Sequence, residues 1–224
     1  MNGRRRVGLY GGTFDPVHNG HLYVARELLR NFALDQIVFI PAFAAPHKRD
    51  QAITPAIQRY AMLALATRRD NEFVVSTVEM DAPARPYTIE TLTALMQLEG
   101  PEVRLFFILG ADSWMEIDSW REFERVLGLT DHIVVTRPDS PLGARHVGSA
   151  IRDRIVDVRG FDRRSITRRL DHDPGPSIFF TDVAFVDTSA TAIRSLVGAG
   201  REMEWKTQVP AEVGDYIKKY ELYK

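Results

Sequence analysis

The chain has 224 residues, of which 45% are hydrophobic, and its 30 acidic and 29 basic side chains give a net charge of −1. This composition favours a single soluble domain spanning residues 1–224, and the near-neutral charge argues against a nucleic-acid partner. The absence of cysteine excludes disulfides, a thiolate nucleophile and cysteine-based metal sites. The apolar runs are too short to cross a membrane and no signal peptide follows the basic start, so a cytoplasmic protein is expected.

Apolar runs and helical stripes alternate along the chain. Strands are predicted at 7–10, 37–40, 73–80, 103–109, 132–136, 178–180 and 183–186, and helices at 22–32, 55–69, 88–98, 119–127, 144–156, 189–197 and 210–220. The polar segment 160–177 is predicted to be a loop. The eight arginines between positions 145 and 169 are interspersed with acids and are interpreted as a solvated surface rather than a nucleic-acid patch.

Strands that are apolar throughout indicate a parallel sheet covered on both faces. The sequence therefore predicts an α/β fold with a doubly wound parallel sheet, and the last helices, from about residue 189, are expected to pack on it. Ligands of such sheets bind at the carboxyl ends of the strands, so the residues that follow each strand are the functional candidates.

The first predicted strand runs into Gly-Gly-Thr-Phe-Asp-Pro-Val-His-Asn-Gly-His at positions 11–21. This segment is neither a dinucleotide-binding G-x-G-x-x-G motif nor a P-loop. Gly12 allows a close backbone approach, and the N–H groups of Thr13 and Phe14 could cradle a phosphate. His18 and His21 share a face at the start of a helix, where imidazoles and unpaired N–H groups suit the charge of a phosphoryl group in transfer. Two histidines without a third ligand make a metal site a weak alternative, and no metal-ligating residue is assigned.

This motif resembles the signature of the nucleotidylyltransferase superfamily, and in particular of the bacterial nicotinate-nucleotide adenylyltransferases. The resemblance extends over nearly the whole chain. It implies a Rossmann-like nucleotidyltransferase fold and a role in NAD biosynthesis, in which ATP and nicotinate mononucleotide give deamido-NAD and pyrophosphate. It also implies Mg²⁺ as a cofactor, bound mainly through the ATP phosphates. Oligomeric state stays open.

Further family elements follow the later strands. The resemblance implies that Lys48, in Pro-His-Lys, approaches the substrate phosphates, and that main-chain groups at Tyr87 and Thr88 receive the pyridine carboxylate. It implies that Trp120 stacks on the pyridine ring, and Arg137 is well placed for phosphate. With Gly12, these residues form the expected nicotinate mononucleotide site.

The expected ATP site combines the signature motif with two later segments. Asp112, in Gly-Ala-Asp, is expected to bind the ribose, and Arg194 is expected to neutralise the leaving pyrophosphate. The ATP-binding residues are Gly12, Thr13, Phe14, His18, His21, Gly110, Asp112, Ser189, Thr191 and Arg194. The catalytic assignments are His18, His21, Lys48 and Arg194.

Three positions depart from the family pattern. Pro86 replaces the usual Ser and lacks an N–H group, Thr188 replaces the usual Ile, and Ala190 replaces a Ser whose hydroxyl would contact phosphate. Three alternatives therefore stand beside the main interpretation: a nicotinamide mononucleotide adenylyltransferase, a phosphopantetheine adenylyltransferase, and a non-catalytic nucleotide sensor. The second of these families usually has Thr where His18 stands and a shorter chain.

Overall fold

The computed structural model describes residues 4–43, 53–136, 143–184 and 188–224. Within these ranges seven strands form one sheet in the order β3-β2-β1-β4-β5-β7-β6, and every neighbouring pair is parallel. The strands are β1 (Arg5–Gly12), β2 (Gln36–Pro41), β3 (Phe73–Val75), β4 (Val103–Gly110), β5 (Asp131–Val135), β6 (Ile155–Asp157) and β7 (Ile178–Thr181).

Helices cover both faces of this sheet. They are α1 (Asn19–Asn31), α2 (Ala56–Thr67), α3 (Thr88–Glu99), α4 (Ala111–Met115), α5 (Phe123–Leu129), α6 (Ser149–Arg152), α7 (Arg163–His172), α8 (Ala190–Gly198), α9 (Glu202–Lys206) and α10 (Ala211–Lys219), with a 3₁₀ turn at Ile117–Ser119. No helix of the described ranges is both long and apolar enough to cross a bilayer.

Two hydrophobic clusters sandwich the sheet because successive residues of a strand face opposite sides. In β2, Ile37 and Phe39 face the cluster beneath α1, α2, α7 and α8–α10. Val38 and Ile40 face the cluster beneath α3–α6. Since both faces are buried, the central residues of the strands are mostly apolar, and the predicted doubly wound α/β fold is confirmed. The last helices contribute Ile193 and other buried side chains to the first cluster.

The other strands lie on both sides of β1 in the sheet. The first connections lead to β2 and β3 on one side, and the later strands continue from β4 on the other. The carboxyl ends of β1 and β4 therefore border the crevice at which open α/β sheets bind ligands.

Several predicted elements are wrong in detail. The third strand ends at Val75 instead of reaching residue 80, and α5 begins at Phe123, which leaves Trp120 outside the helix. Val183 lies beyond β7, which ends at Thr181, and positions 185 and 186 lie outside the described residues. The short helix α9 was not predicted.

The predicted helix at 144–156 is also wrong, because α6 spans four residues and is followed by β6, which pairs with β7. Arg154, between α6 and β6, donates from its side chain to the carbonyl oxygens of Leu127 and Pro176. A strand at the sheet edge therefore takes residues whose apolar spacing also suits a helix.

The predicted loop at 160–177 contains the ten-residue helix α7. The Asp162 carboxylate accepts a hydrogen bond from the Ser165 N–H at 2.8 Å, which caps the helix start. Ile166 and Leu170, four residues apart, are its buried anchors. The arginines of this helix are exposed on its outer face.

Candidate active site

A cavity of about 270 Å³ opens at the carboxyl ends of β1, β4 and β5. His18 and His21 of the signature segment, Gly110 and Asp112 after β4, and Thr136 after β5 border it together. Residues that follow three different strands thus border one cavity.

The signature loop is shaped by a packing contact between Gly12 and Phe14. Phe14 is buried, adopts a left-handed φ of 50°, and lays its ring against Gly12, where a Cβ atom would approach the ring to 2.9 Å. A side chain at position 12 would displace this ring. The Phe14 ring also meets the His21 ring edge-to-face at 5.0 Å. The Phe14 side chain therefore packs against both Gly12 and His21.

His18 and His21 form a stacked pair at the start of α1, with ring centroids 3.6 Å apart. The His18 backbone N–H donates to His21 Nδ1 at 3.2 Å. In the neutral ring, this acceptor role places the His21 proton on Nε2, which is then free to donate. His18 Nδ1 is buried without a hydrogen-bond partner among the described residues. The pair therefore retains hydrogen-bonding capacity for a ligand.

Burial lowers the pKa of His18 to about 4. The pKa of His21 lies well below its usual range because of burial and, second, the positive charge that His18 would carry. Both rings are consequently neutral at pH 7 in the free protein. An anion at the cavity would favour the protonated forms, since an opposite charge stabilises imidazolium.

Arg194 connects α8 with the signature loop. Its guanidinium donates to the Asp15 carbonyl oxygen at 2.7 Å and to Thr191 Oγ1 at 3.2 Å. Ser189 caps α8, because its Oγ accepts from the Ala192 N–H at 3.4 Å. Thr191 and Ser189 thus hold the guanidinium and the helix start in the free protein.

Tyr87 and Thr88 lie at the start of α3. The Tyr87 N–H donates to Glu90 Oε2 at 2.7 Å, so a main-chain donor for a carboxylate must come from Thr88 or beyond. The Arg121 guanidinium lies over the Tyr87 ring at 4.7 Å, and the Trp120 ring meets Phe107 at 6.4 Å. Tyr87, Thr88 and Trp120 do not line the 270 Å³ cavity.

Lys48 and Arg137 lie outside the described residues. Their proposed roles therefore rest on the sequence alone.

Arg59 is a supporting residue that the sequence interpretation did not single out. Its side chain is fully buried and donates to the carbonyl oxygens of Thr13, Ala42 and Thr54 at 2.7, 2.6 and 2.8 Å. It thereby ties the signature loop to the end of β2. A charged residue on the same helix face as Met62, a position otherwise typical of the core, was the available signal.

Glu79 was missed as well. It accepts from the Phe43 N–H and from Thr91 Oγ1, both at 2.9 Å. Burial raises its pKa, although the two hydrogen bonds and Arg59 act in the opposite direction. Glu79 joins the segment after β2 to α3, and no spacing in the sequence indicates this pairing.

Comparisons with known proteins agree with this geometry. A model of the family described as cytidylyltransferase-like matches residues 9–196, so the fold and site define a protein of that nucleotidyltransferase class. A protein of Desulfatibacillum aliphaticivorans named "Probable nicotinate-nucleotide adenylyltransferase" is 37% identical over 97% of this chain and 99% of its own. One of Geobacter metallireducens with the same name is 35% identical over 97% and 98%. The chain belongs to the nicotinate-nucleotide adenylyltransferase family.

Solved structures share the fold. The nicotinic acid mononucleotide adenylyltransferase of Plasmodium falciparum, complexed with NaAD, superposes with a TM-score of 0.70 at 18% identity, covering 98% of this chain and 97% of that one. The same enzyme complexed with APC gives a TM-score of 0.68.

Proposed function

We propose that this protein transfers the adenylyl group of ATP to nicotinate mononucleotide in NAD biosynthesis, releasing pyrophosphate and forming deamido-NAD. The observation that carries the proposal is the stacked pair of His18 and His21, with an unpartnered buried Nδ1, beside a cavity that Asp112 also borders. Family membership supports the same activity. The reaction is proposed to occur in the cytoplasm, without a nucleic-acid or membrane partner.

The proposed chemistry is a direct in-line displacement. An oxygen of the nicotinate mononucleotide phosphate forms a bond to the α-phosphorus of ATP, and the bond from that phosphorus to the bridging oxygen of pyrophosphate breaks. A phosphate monoester is largely ionised at pH 7, so no general base is required. Catalysis then consists of positioning and charge stabilisation.

Each of the site residues is assigned one part of the positioning or the charge stabilisation. Neutral His18 and His21 donate hydrogen bonds to the α-phosphoryl oxygens as charge develops on them. Arg194, with Lys48 from the sequence, holds the phosphates of the substrates. Asp112 and Gly110, at the start of α4, bind the ATP ribose and the atoms next to it. Thr88 is the first residue of α3, and the N-terminus of this helix is proposed to receive the pyridine carboxylate.

Mg²⁺ bound to the ATP phosphates would supply further neutralisation of the triphosphate charge. The described residues contain no cluster of three or more His, Cys, Asp or Glu side chains that could hold a metal. The ion is proposed to arrive with ATP and to keep most of its waters. The protein's own contribution is the hydrogen-bond donors named above.

The test is pyrophosphate release from ATP with nicotinate mononucleotide, nicotinamide mononucleotide and phosphopantetheine measured in parallel. We expect release with the first acceptor, at a kcat/KM well above that of the other two. No release with nicotinate mononucleotide would overturn the proposal. Faster release with nicotinamide mononucleotide would overturn the assignment of the acidic substrate while retaining adenylyl transfer.

A further inference from the structure

The last residues of the sequence turn back toward the signature loop. After α10 ends at Lys219, Glu221 and Tyr223 adopt left-handed φ values of 52° and 66°. Such values are unfavourable for residues other than glycine. The Leu222 N–H donates to the Ile217 carbonyl oxygen at 3.1 Å, and Leu222 and Tyr223 pack against the first core cluster. Specific contacts therefore hold this segment in place.

The Tyr223 hydroxyl makes the most specific of these contacts. It donates to Asp15 Oδ1 at 2.6 Å. The Thr54 N–H donates to the other carboxylate oxygen of Asp15 at 3.2 Å. Asp15 is 4% exposed, so the tyrosine replaces water as a partner of a buried carboxylate. Burial, followed by the Asp15 charge, raises the pKa of Tyr223, and the hydroxyl remains a donor at physiological pH.

Asp15 carries this contact onward to Arg194. The carboxylate of Asp15 holds Tyr223, while its carbonyl oxygen accepts from Arg194 at 2.7 Å. The Tyr223 backbone also lies close to the end of α8, the helix that bears Arg194: a Cβ atom added at Gly198 would lie 3.4 Å from the Tyr223 carbonyl oxygen. Tyr223 thus hydrogen-bonds the residue whose carbonyl oxygen holds the guanidinium and lies beside the helix that carries it.

We propose that Tyr223 is a positioning residue for the ATP phosphates, acting through Asp15 on Arg194. This inference rests on the proposed function, since Arg194 is assigned to phosphate there. The folding of α10 does not require the hydroxyl, because the helix is anchored by the buried side chains of Val213 and Ile217. The hydroxyl adds a polar contact to the signature loop alone.

The first experiment compares Tyr223→Phe with Tyr220→Phe. Tyr220 lies three residues away and is half exposed, and it serves as the matched control. Removing the Tyr223 hydroxyl leaves a buried carboxylate oxygen unpaired. We expect the KM for ATP to rise about tenfold while the KM for nicotinate mononucleotide changes less than twofold, with the control unchanged. A purely structural role would lower the melting temperature and leave the KM for ATP unaltered, and that result would overturn the inference.

The second experiment uses the unmodified full chain and remains informative if Tyr223→Phe does not fold. Because coupling between two sites is reciprocal, ATP must hold the docked segment in place as strongly as the segment favours ATP. Amide hydrogen exchange of residues 221–224 should slow about tenfold on addition of ATP alone, and should not change with nicotinate mononucleotide alone. Equal exchange with and without saturating ATP would overturn the inference. This measurement needs no turnover, so it is independent of which acceptor the enzyme uses.

Discussion

A cavity lies at each end of the parallel strands, one at the amino edge and one at the carboxyl edge. The larger cavity is at the amino edge, opposite the proposed site. At the amino ends of the strands a cavity of about 780 Å³ is bordered by Arg6, Arg104, Asp131 and Asp173. The cavity at the carboxyl ends measures about 270 Å³. Size therefore does not identify the site in this molecule.

The edges differ in how their polar groups are satisfied. At the amino edge the buried charged groups are paired with each other: Arg104 donates to both oxygens of Asp131, at 2.7 and 2.9 Å, and lies 3.4 Å from Asp173. Thr130 Oγ1 there is a buried hydroxyl without a partner among the described residues. At the carboxyl edge, His18 Nδ1 and Thr136 Oγ1 are buried without a partner among the described residues, and the first of them belongs to a titratable ring. Paired charges stabilise a fold. Among the described residues His132 Nε2 is also buried without a partner, but His18, unlike His132, borders the cavity, where a partnerless imidazole can meet a ligand.

The largest expected effect would come from breaking the paired edge. Arg104→Gln leaves the buried carboxylates of Asp131 and Asp173 without their cation, and removing one partner of such a network costs about 3–5 kcal/mol. We expect the free energy of unfolding in urea to fall by that amount, while kcat at 20 °C, measured on the folded enzyme, stays near wild type. A loss of activity without a loss of stability would reverse the roles of the two edges.

Substitution at the unpaired edge should give the opposite result. His21→Ala removes a donor proposed for the α-phosphoryl group, and loss of one such donor lowers kcat by about 10²–10³-fold. The melting temperature should change by a few degrees at most. His172→Ala is the matched control, because His172 is exposed on α7 far along the chain from the site. Steady-state kinetics with both substrates saturating measures the effect, and a kcat near wild type would exclude the transition-state role.

Lowering the pH should expose the cost of the buried imidazole. The folded-state pKa of His18, about 4, is depressed below its unfolded value of about 6.5. Its contribution to stability is therefore fully present above pH 6.5 and is lost as the pH falls toward 4. The shift corresponds to roughly 3 kcal/mol. Urea titrations at pH 7 and pH 4 should show a decrease of this order, smaller in His18→Gln, and an equal decrease in both proteins would argue against the buried neutral ring.

The sequence predicted the sheet because its evidence is local. The strands at the centre of the sheet contain apolar runs that are visible in the sequence, such as Leu105–Leu109 in β4, whereas the three-residue edge strand β6 was hidden in a predicted helix. Residues after β1 and β4 are placed together by the general topology of such sheets. The helix α7 escaped prediction because Ile166 and Leu170 are the only buried side chains among its ten residues, so its average composition is that of a loop. The helical spacing of these two apolar residues, over two turns, was a weaker signal than the polar composition of the segment.

The supporting residues of the site could not be found in the same way. Tyr223 and Asp15 are 208 positions apart, and Arg59 reaches Thr13 across 46. No spacing rule connects such pairs, since their proximity results from how α2 and α10 pack on the sheet. The motif identified the groups proposed to touch substrate, and only the folded chain shows which side chains hold them.

The smallest effect concerns a charge pair at the amino edge that is exposed to solvent. Arg6 pairs with Asp171 at 2.5 Å, and more than half of the Asp171 side chain is accessible, so water screens the interaction. We expect Arg6→Gln to lower the free energy of unfolding by less than about 1 kcal/mol, in contrast to Arg104→Gln at the same cavity. Urea denaturation of both variants beside wild type measures the difference. Equal losses would mean that the cavity as a whole, rather than the buried Arg104 network, stabilises this edge, and burial would then no longer distinguish the Arg104 network from the Arg6–Asp171 pair.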